Sequence, residues 1–171
     1  MNIKKIPVGP LQANCYILTI GNDNIIIDPG SEAEKIKGNI KGNVNSILVT
    51  HSHDDHIGAL EELQKTFNCP VYSFNNLKSQ KYKINSFCFE VIYTKGHTDD
   101  SVTYYFYKDK IMFTGDFLFK GTIGRTDLDT GDMFEMQKSI DKIKKYHDVM
   151  VFPGHGDETT IDYERKNNIY L

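Results

Sequence analysis

An α+β fold with two β-sheets inside and helices outside is what this sequence predicts, and three observations carry it. Two strand-rich halves are each followed by helical patterns. A short apolar strand, Ser46-Ile47-Leu48-Val49, runs into Thr50-His51-Ser52-His53-Asp54-Asp55-His56 and then into a helix, a layout that puts polar groups at the open end of a sheet. Further polar side chains sit in glycine-flanked turns, at Gly96-His97-Thr98, Gly115-Asp116 and Gly154-His155-Gly156. Sheets and helices with one apolar face must bury it against another layer, which places the helices outside.

The elements follow in order. Strands are predicted at Ile3 to Val8, Cys15 to Ile20 and Asn24 to Asp28, with Gly21-Asn22-Asp23 as the turn between the last two and Asp28-Pro29-Gly30 as a stop. A weak helix from Glu32 to about Ile40 leads to a strand at Ile47 to Thr50. A helix from Ile57 to Phe67 sets Ile57, Leu60, Leu63 and Phe67 on one side. A strand follows near Val71 to Phe74. Phe87 to Tyr93, Val102 to Tyr107 and Lys110 to Thr114 are rich in β-branched and aromatic residues and read as strands. The best-marked helix starts near Met133. Asp132 and Glu135 have capping-box spacing, and Met133, Met136, Ile140 and Ile143 form its apolar stripe. Lys142, Lys144 and Lys145 read as its solvated face. Asp148 to Phe152 is a last strand, and Thr160 to Asn168 a closing helix.

With 171 residues, the chain suffices for one substantial core, and the expectation is a single domain over 1–171. A formal net charge of −3 leaves no electrostatic footprint for nucleic acid or an anionic membrane. No segment approaches a transmembrane length, and Met1 to Pro7 has no apolar run of a signal peptide. Cys15, Cys69 and Cys88 are odd in number, widely spaced and in apolar contexts. They read as buried small hydrophobes in a reducing cytoplasm rather than disulfides or thiolate ligands.

The chemistry lies in the histidines. Of six in the chain, three fall in the H-x-H-x-D-H run at 51–56. His51 and His53, two apart at a strand end, can share one ion, and Asp55 and His56 point toward a second. Imidazole and carboxylate suit zinc, iron or manganese. Asp116, with two oxygens, can bridge two cations. His147, in Tyr146-His147-Asp148 at a helix end, reads as a surface residue.

These residues resemble the metallo-β-lactamase-fold hydrolases over nearly the whole chain. Thr50 to His56 looks like that superfamily's signature, and Ile27-Asp28-Pro29-Gly30, Gly96-His97-Thr98, Gly115-Asp116 and Gly154-His155-Gly156 look like its other motifs in order. The resemblance implies an αββα four-layer sandwich of two mixed sheets flanked by helices, with the site at one edge. It implies that His51, His53 and His97 hold one metal, and Asp55, His56 and His155 a second, with Asp116 bridging. It makes Asp28 a support behind the histidine loop. Within the superfamily, Gly115-Asp116-Phe117-Leu118-Phe119, Gly121 to Asp127, and Gly154-His155-Gly156 with Thr159-Thr160 and Glu164-Arg165 resemble the short glyoxalase II-like branch. Asp116, where zinc β-lactamases of the two-histidine-one-cysteine kind carry Cys, argues against antibiotic hydrolysis. The single domain expected here has no C-terminal helical domain of the kind with which full-length glyoxalase II grips glutathione. His97-Thr98-Asp99-Asp100-Ser101 replaces the branch's frequent Thr-Pro-Gly-Ser.

The expected reaction is acyl hydrolysis by a metal-bridging hydroxide. A small-molecule thioester such as a hydroxyacylglutathione fits, because a thiolate of pKa about 8.5 leaves without a strong acid. Asp55 is the candidate to orient or deprotonate the water. Arg125 is the candidate to hold a substrate carboxylate, against the alternative of an ion pair with Asp127. Two divalent ions, zinc first and iron or manganese next, are the expected cofactors. A one-iron persulfide dioxygenase using His51, His97 and Asp116 is the alternative. A lactone or phosphodiester hydrolase and a non-catalytic binding module of the same fold are further ones.

Overall fold

In the computed structural model, which describes residues 1–171, alternation along the strands sets the layers. One sheet contains β1 (Asn2–Val8), β2 (Ala13–Ile20), β3 (Asp23–Ile27), β4 (Asn43–Leu48) and β5 (Val71–Tyr72), in that order. Its first two pairings are antiparallel and its last two parallel. The remaining strands are β6 (Lys81–Ile84), β7 (Phe87–Tyr93), β8 (Val102–Phe106), β9 (Ile111–Gly115), β10 (Leu118–Phe119), β11 (Thr122–Ile123), β12 (Met150–Pro153) and β13 (Thr159–Thr160). Six of these make the second sheet, ordered β13-β12-β9-β8-β7-β6, while β10 and β11 form a hairpin of their own. Only β9 and β12 run parallel in the second sheet. Both large sheets are therefore mixed, as expected.

Tyr16, Leu18, Ile25, Ile27 and Leu48 of the first sheet face Phe87, Phe89, Val91, Tyr104, Phe106 and Phe113 of the second. Burying each such side chain stabilises the fold by about 1.5–3 kcal/mol, so this aromatic seam clamps the sheets together. The alternate residues of the first sheet, Cys15, Ile17, Ile26 and Ile47, face outward to helices α1 (Ala33–Lys37) and α3 (Leu60–Phe67), beyond the short α2 (Asp54–Ile57). Ile92, Met112 and Val151 of the second sheet face α4 (Met133–Ile143) and α5 (Ile161–Asn167). The result is the αββα sandwich.

Several elements differ from expectation, each for a physical reason. The predicted helix at Ile57 to Phe67 is two helices, because Gly58 and Ala59 lie against the Pro29-Gly30 turn. Ala59 N–H donates to the Pro29 carbonyl at 2.9 Å, and a Cβ on Gly58 would stand 2.4 Å from the Gly30 oxygen. Asp55 and His56 consequently lie on a helical turn rather than in a loop. The strand expected at Ile47 to Thr50 starts at Asn43 and ends at Leu48, so His51 and His53 follow it as irregular chain. On α4, the Asp132 carboxylate caps Phe134 N–H and Glu135 N–H, but the reciprocal half of a capping box is absent. Asp132 N–H donates instead to the Gly96 carbonyl, and Glu135 pairs with Lys138. Met133, placed in the apolar stripe, is exposed, while Met136, Ile140 and Ile143 are buried. Cys15 and Cys69 are buried and Cys88 is half-buried, all as free thiols. No helix is long and apolar enough to cross a membrane.

What the fold does for function is simple. The C-terminal ends of β3, β4, β7, β9 and β12 open on one edge of the sandwich, and the turns that leave them carry Asp28, the histidine stretch, His97, Asp116 and His155.

Candidate metal centre

Seven side chains converge at this edge in three overlapping groups: His51, His53 and His97; His51, His56 and Asp116; and Asp55, His56 and His155. The first and third are the two sets that the resemblance implies, and Asp116 lies between them. Within the first, His53 Nδ1 is 3.2 Å from His51 Nε2 and 3.0 Å from His97 Nε2. Asp55 Oδ2 is 3.1 Å from His155 Nε2 and 3.6 Å from His56 Nε2. Asp116 reaches both sides, with Oδ1 3.3 Å from His56 Nε2, and Oδ2 3.5 Å from His155 Nε2 and 3.7 Å from His97 Nε2.

The ring nitrogens on the far sides fix which atoms face inward. His97 Nδ1 lies 2.8 Å from the Arg125 carbonyl and His155 Nδ1 3.1 Å from the Leu11 carbonyl. A carbonyl only accepts, so both Nδ1 atoms carry a hydrogen and both Nε2 atoms face the centre, free to bind an ion when the ring is neutral. His51 Nδ1 is 3.1 Å from the Thr50 hydroxyl, which itself donates to Asp28 Oδ2 at 2.6 Å. That hydroxyl must accept from His51, leaving His51 Nε2 bare as well. His155 Nε2 thus faces two carboxylate oxygens, at 3.1 and 3.5 Å, a place that suits a cation.

Metal ions fit this donor set. A zinc–nitrogen bond of about 2.0–2.1 Å in a tetrahedron implies donor separations of about 3.3–3.4 Å. The close pairs here run from 3.0 to 3.7 Å, and all donors of each group lie within 4.8 Å of one another. His56 Nε2 and Asp116 Oδ1 are buried with no hydrogen-bond partner. Native interiors rarely leave such atoms unpaired, and an ion satisfies both. The walls are built for close approach too, since a Cβ on Gly154 would come 2.1 Å from Asp116 Oδ1 and one on Gly115 2.3 Å from the Thr50 hydroxyl.

Burial and the neighbouring charges set the protonation of the metal-free centre. Burial, reinforced by His56, pushes the His51 ring well below its ordinary pKa, keeping it neutral and ready to bind. His97 is lowered by burial too, against the Arg125 carbonyl and Asp116, which raise it. His56 is opposite. Burial disfavours its charge, but Asp116 and Asp28 on either side outweigh that and lift it to about 10. Burial raises Asp116, but His56 and the other histidines outweigh it, so the carboxyl is lowered overall.

Asp28 lies behind the histidine stretch. It is buried and accepts from Thr50 N–H at 2.7 Å, from the Thr50 hydroxyl, and from His56 Nδ1 at 3.1 Å. Its φ of 50° is the left-handed backbone that Asp tolerates better than most residues. Arg125 lines the open groove beside His53, Asp55, His97, Asp116 and His155, and its guanidinium makes two hydrogen bonds to Asp127, at 2.7 and 2.8 Å. The ion pair with Asp127 is therefore present, while the guanidinium stays largely exposed on the groove. The closer tie of Arg125 to the centre is its main-chain carbonyl on His97, which no side-chain pattern signals. His147 packs on Arg165 and Asp162, away from the centre. Sequence reasoning also missed Asn14 and Tyr16. They bind the Pro153 carbonyl at 3.1 and 2.6 Å and so anchor the His155 turn. Of the extra carboxylates near His97, Asp99 is exposed, and Asp100 accepts from the Thr98 hydroxyl at 2.6 Å, so hydrogen bonds shape that loop without Pro or Gly.

A metallo-hydrolase is the class of protein that this fold and donor set define. The chain belongs to the metallo-beta-lactamase superfamily, whose family model matches residues 8–83 and 82–155. It is 34% identical to YqgX of Bacillus subtilis (strain 168), described as a probable metallo-hydrolase, over 100% of this chain and 98% of that one. It is 32% identical to the hydroxyacylglutathione hydrolase GloC of Haemophilus influenzae (strain ATCC 51907 / DSM 11121 / KW20 / Rd), again over 100% and 98%. Among solved structures, BLEG-1, titled a B3 metallo-beta-lactamase, superimposes with a TM-score of 0.91 at 32% identity, covering 99% of each chain. TTHA1623, solved in a di-iron-bound form, gives a TM-score of 0.88 at 28% identity, covering 98% of this chain and 100% of that one.

Proposed function

We propose that this chain, acting as a single domain in the cytoplasm, hydrolyses small thioesters of the hydroxyacylglutathione kind at a centre for two divalent ions. The observation that carries the reading is the pair of donor groups with Asp116 between them, where His155 Nε2 faces the carboxylates of Asp55 and Asp116. In this reading His51, His53 and His97 would hold one ion and Asp55, His56 and His155 the other, with Asp116 within reach of both. The likeness to GloC supports a thioester, and the di-iron form of TTHA1623 supports iron beside zinc and manganese.

Bound divalent ions lower the pKa of water and neutralise the charge that develops on an attacked carbonyl oxygen. The chain's own residues do the rest. Asp55, a quarter exposed at the groove wall, is placed to accept a proton from water and orient it. Asp116, held below the ordinary carboxyl range, stays ionised between the two groups. Leu11 and Leu128 are exposed beside the groove and offer apolar contact to an acyl chain. No general acid is needed, since a thiolate leaves at a pKa of about 8.5. A substrate carboxylate would meet the Arg125 guanidinium on the donors that Asp127 leaves free, since Asp127 takes only Nε and Nη2.

The deciding experiment is a thiol-release assay over a thioester panel that includes lactoylglutathione, on protein loaded separately with zinc, manganese or iron. Metal-dependent release of thiol at two ions per chain is the expected result. Turnover of a β-lactam panel instead would move the reading toward the activity named for BLEG-1. One iron per chain with oxygen consumption on glutathione persulfide would replace hydrolysis by persulfide oxidation.

A further inference from the structure

Glu164 on α5 is fully buried, and its partners are uncharged donors. Oε1 accepts from the Thr159 hydroxyl at 2.5 Å. Oε2 accepts from Gly121 N–H at 2.8 Å and from Asn168 Nδ2 at 2.8 Å. The Asn168 amide also donates to the Thr122 carbonyl at 3.1 Å. A buried carboxylate is costly to desolvate, and three donors on it make a strong, directional tie.

What is tied is the β10–β11 hairpin, whose two ends both belong to the metal centre. It leaves Asp116 and returns at Gly124-Arg125. Gly124 packs so closely that a Cβ there would stand 1.8 Å from the Asp116 carbonyl oxygen and 3.0 Å from His97 Nδ1. The next residue supplies the carbonyl that receives His97 Nδ1–H at 2.8 Å. Phe117 and Leu118 anchor the base of the hairpin in the outer core beneath α4 and α5. Its tip, Gly121 and Thr122, is exposed, and Glu164 with Asn168 binds it there.

We propose that Glu164, assisted by Asn168, is a positioning residue for the metal centre, holding the hairpin so that its returning strand orients His97 beside Asp116. The proposal rests on the metal-centre reading only for the affinity it predicts. The orientation of His97 is measurable without any ion.

The test compares Glu164→Leu, Glu164→Gln and Asn168→Ala with wild type, and with Leu63→Ala as a control destabilised in the opposite outer layer. Gln keeps an oxygen for Gly121 and Asn168, while the Thr159 hydroxyl can turn to accept from its amide. Two readouts are used, nitrogen NMR of the His97 ring in metal-free protein and zinc affinity by chelator competition. Glu164→Leu is expected to lose the single Nδ1–H form of His97. It should also weaken zinc binding by about 10- to 100-fold, the range for residues that orient metal ligands. Asn168→Ala should act in the same direction but less, Glu164→Gln should stay within about threefold of wild type, and Leu63→Ala should move neither readout. A folded Glu164→Leu with the wild-type His97 signal and zinc affinity overturns the proposal, as does an equal loss in Leu63→Ala. If Glu164→Leu does not fold, Asn168→Ala decides, and an unchanged His97 signal and affinity there overturn it. If wild type binds no divalent ion, the metal reading fails, while the His97 signal still tests the positioning.

Discussion

The two halves of the metal centre are built in different ways. His51, His53, Asp55 and His56 lie on six consecutive residues, and one buried carboxylate, Asp28, secures them by binding Thr50 and His56 together. His97, Asp116 and His155 each sit on a separate turn, and distant chain aims each of them. His97 depends on Arg125, Asp116 on the room left by Gly154, and His155 on Leu11. A contiguous ligand run needs only local geometry plus one brace. Scattered ligands need the whole sandwich to be correct, so they are the half that mutation at a distance disturbs.

The sharpest way to break that comparison is Asp116→Ala, which removes the carboxylate lying between the two donor groups. Bound metal and activity should fall together by more than about a hundredfold, the upper end seen even for outer partners of ligands. Metal analysis and a turnover assay on the same preparation check this, and full activity with both ions kept would refute the shared carboxylate.

Asp28→Asn probes the contiguous half. Asn tolerates the same left-handed backbone, so the change isolates charge and acceptor capacity. An amide nitrogen would then face Thr50 or His56 hydrogens where an oxygen accepted them. Metal affinity is expected to drop by about 10- to 100-fold with the fold retained, as chelator competition and circular dichroism would report.

Acidity separates the halves next. His51 and His97 are held neutral by burial, so they bind an ion without releasing a proton, whereas His56 carries one up to about 10. Metal uptake should therefore release about one proton from the His56 side, and apparent affinity should rise about tenfold per pH unit between 6.5 and about 10. Calorimetry in buffers of differing ionisation enthalpy reads this directly. In the metal-free protein the raised His56 contributes stability that is full below 6.5 and lost as pH rises through about 10. The lowered Asp116 contributes stability present above 3.8 and lost as pH falls. Thermal melts of the metal-free protein should thus weaken toward both extremes.

The smallest effect belongs to Cys15→Ser. Cys15 is buried against the outer helices, so a hydroxyl there costs about 1–3 kcal/mol if it finds no partner, while metal content stays unchanged. Lower metal occupancy in the folded variant would reveal a missed ligand.

Much of the architecture was legible because apolar alternation and turn residues are local signals. They located most of the long strands and the α4 helix, and the order of the motifs carried the αββα reading. The short pieces escaped. Lys81–Ile84 is a lysine-interleaved edge strand, and β10, β11 and β13 are two residues each, too short to show a period. The break between α2 and α3 escaped as well, since only the approach of the Pro29-Gly30 turn demands it.

The sequence alone determined which donors exist, their spacing in the 51–56 run, and their placement in turns that follow strands, because ligand chemistry is a property of side chains. The tertiary structure decided which nitrogen of each ring faces inward, that Asp116 reaches both groups, and that Arg125 acts on His97 through its carbonyl while its guanidinium is engaged by Asp127. Those outcomes depend on backbone groups brought together from distant turns, and a carbonyl, being common to every residue, leaves no mark in the sequence.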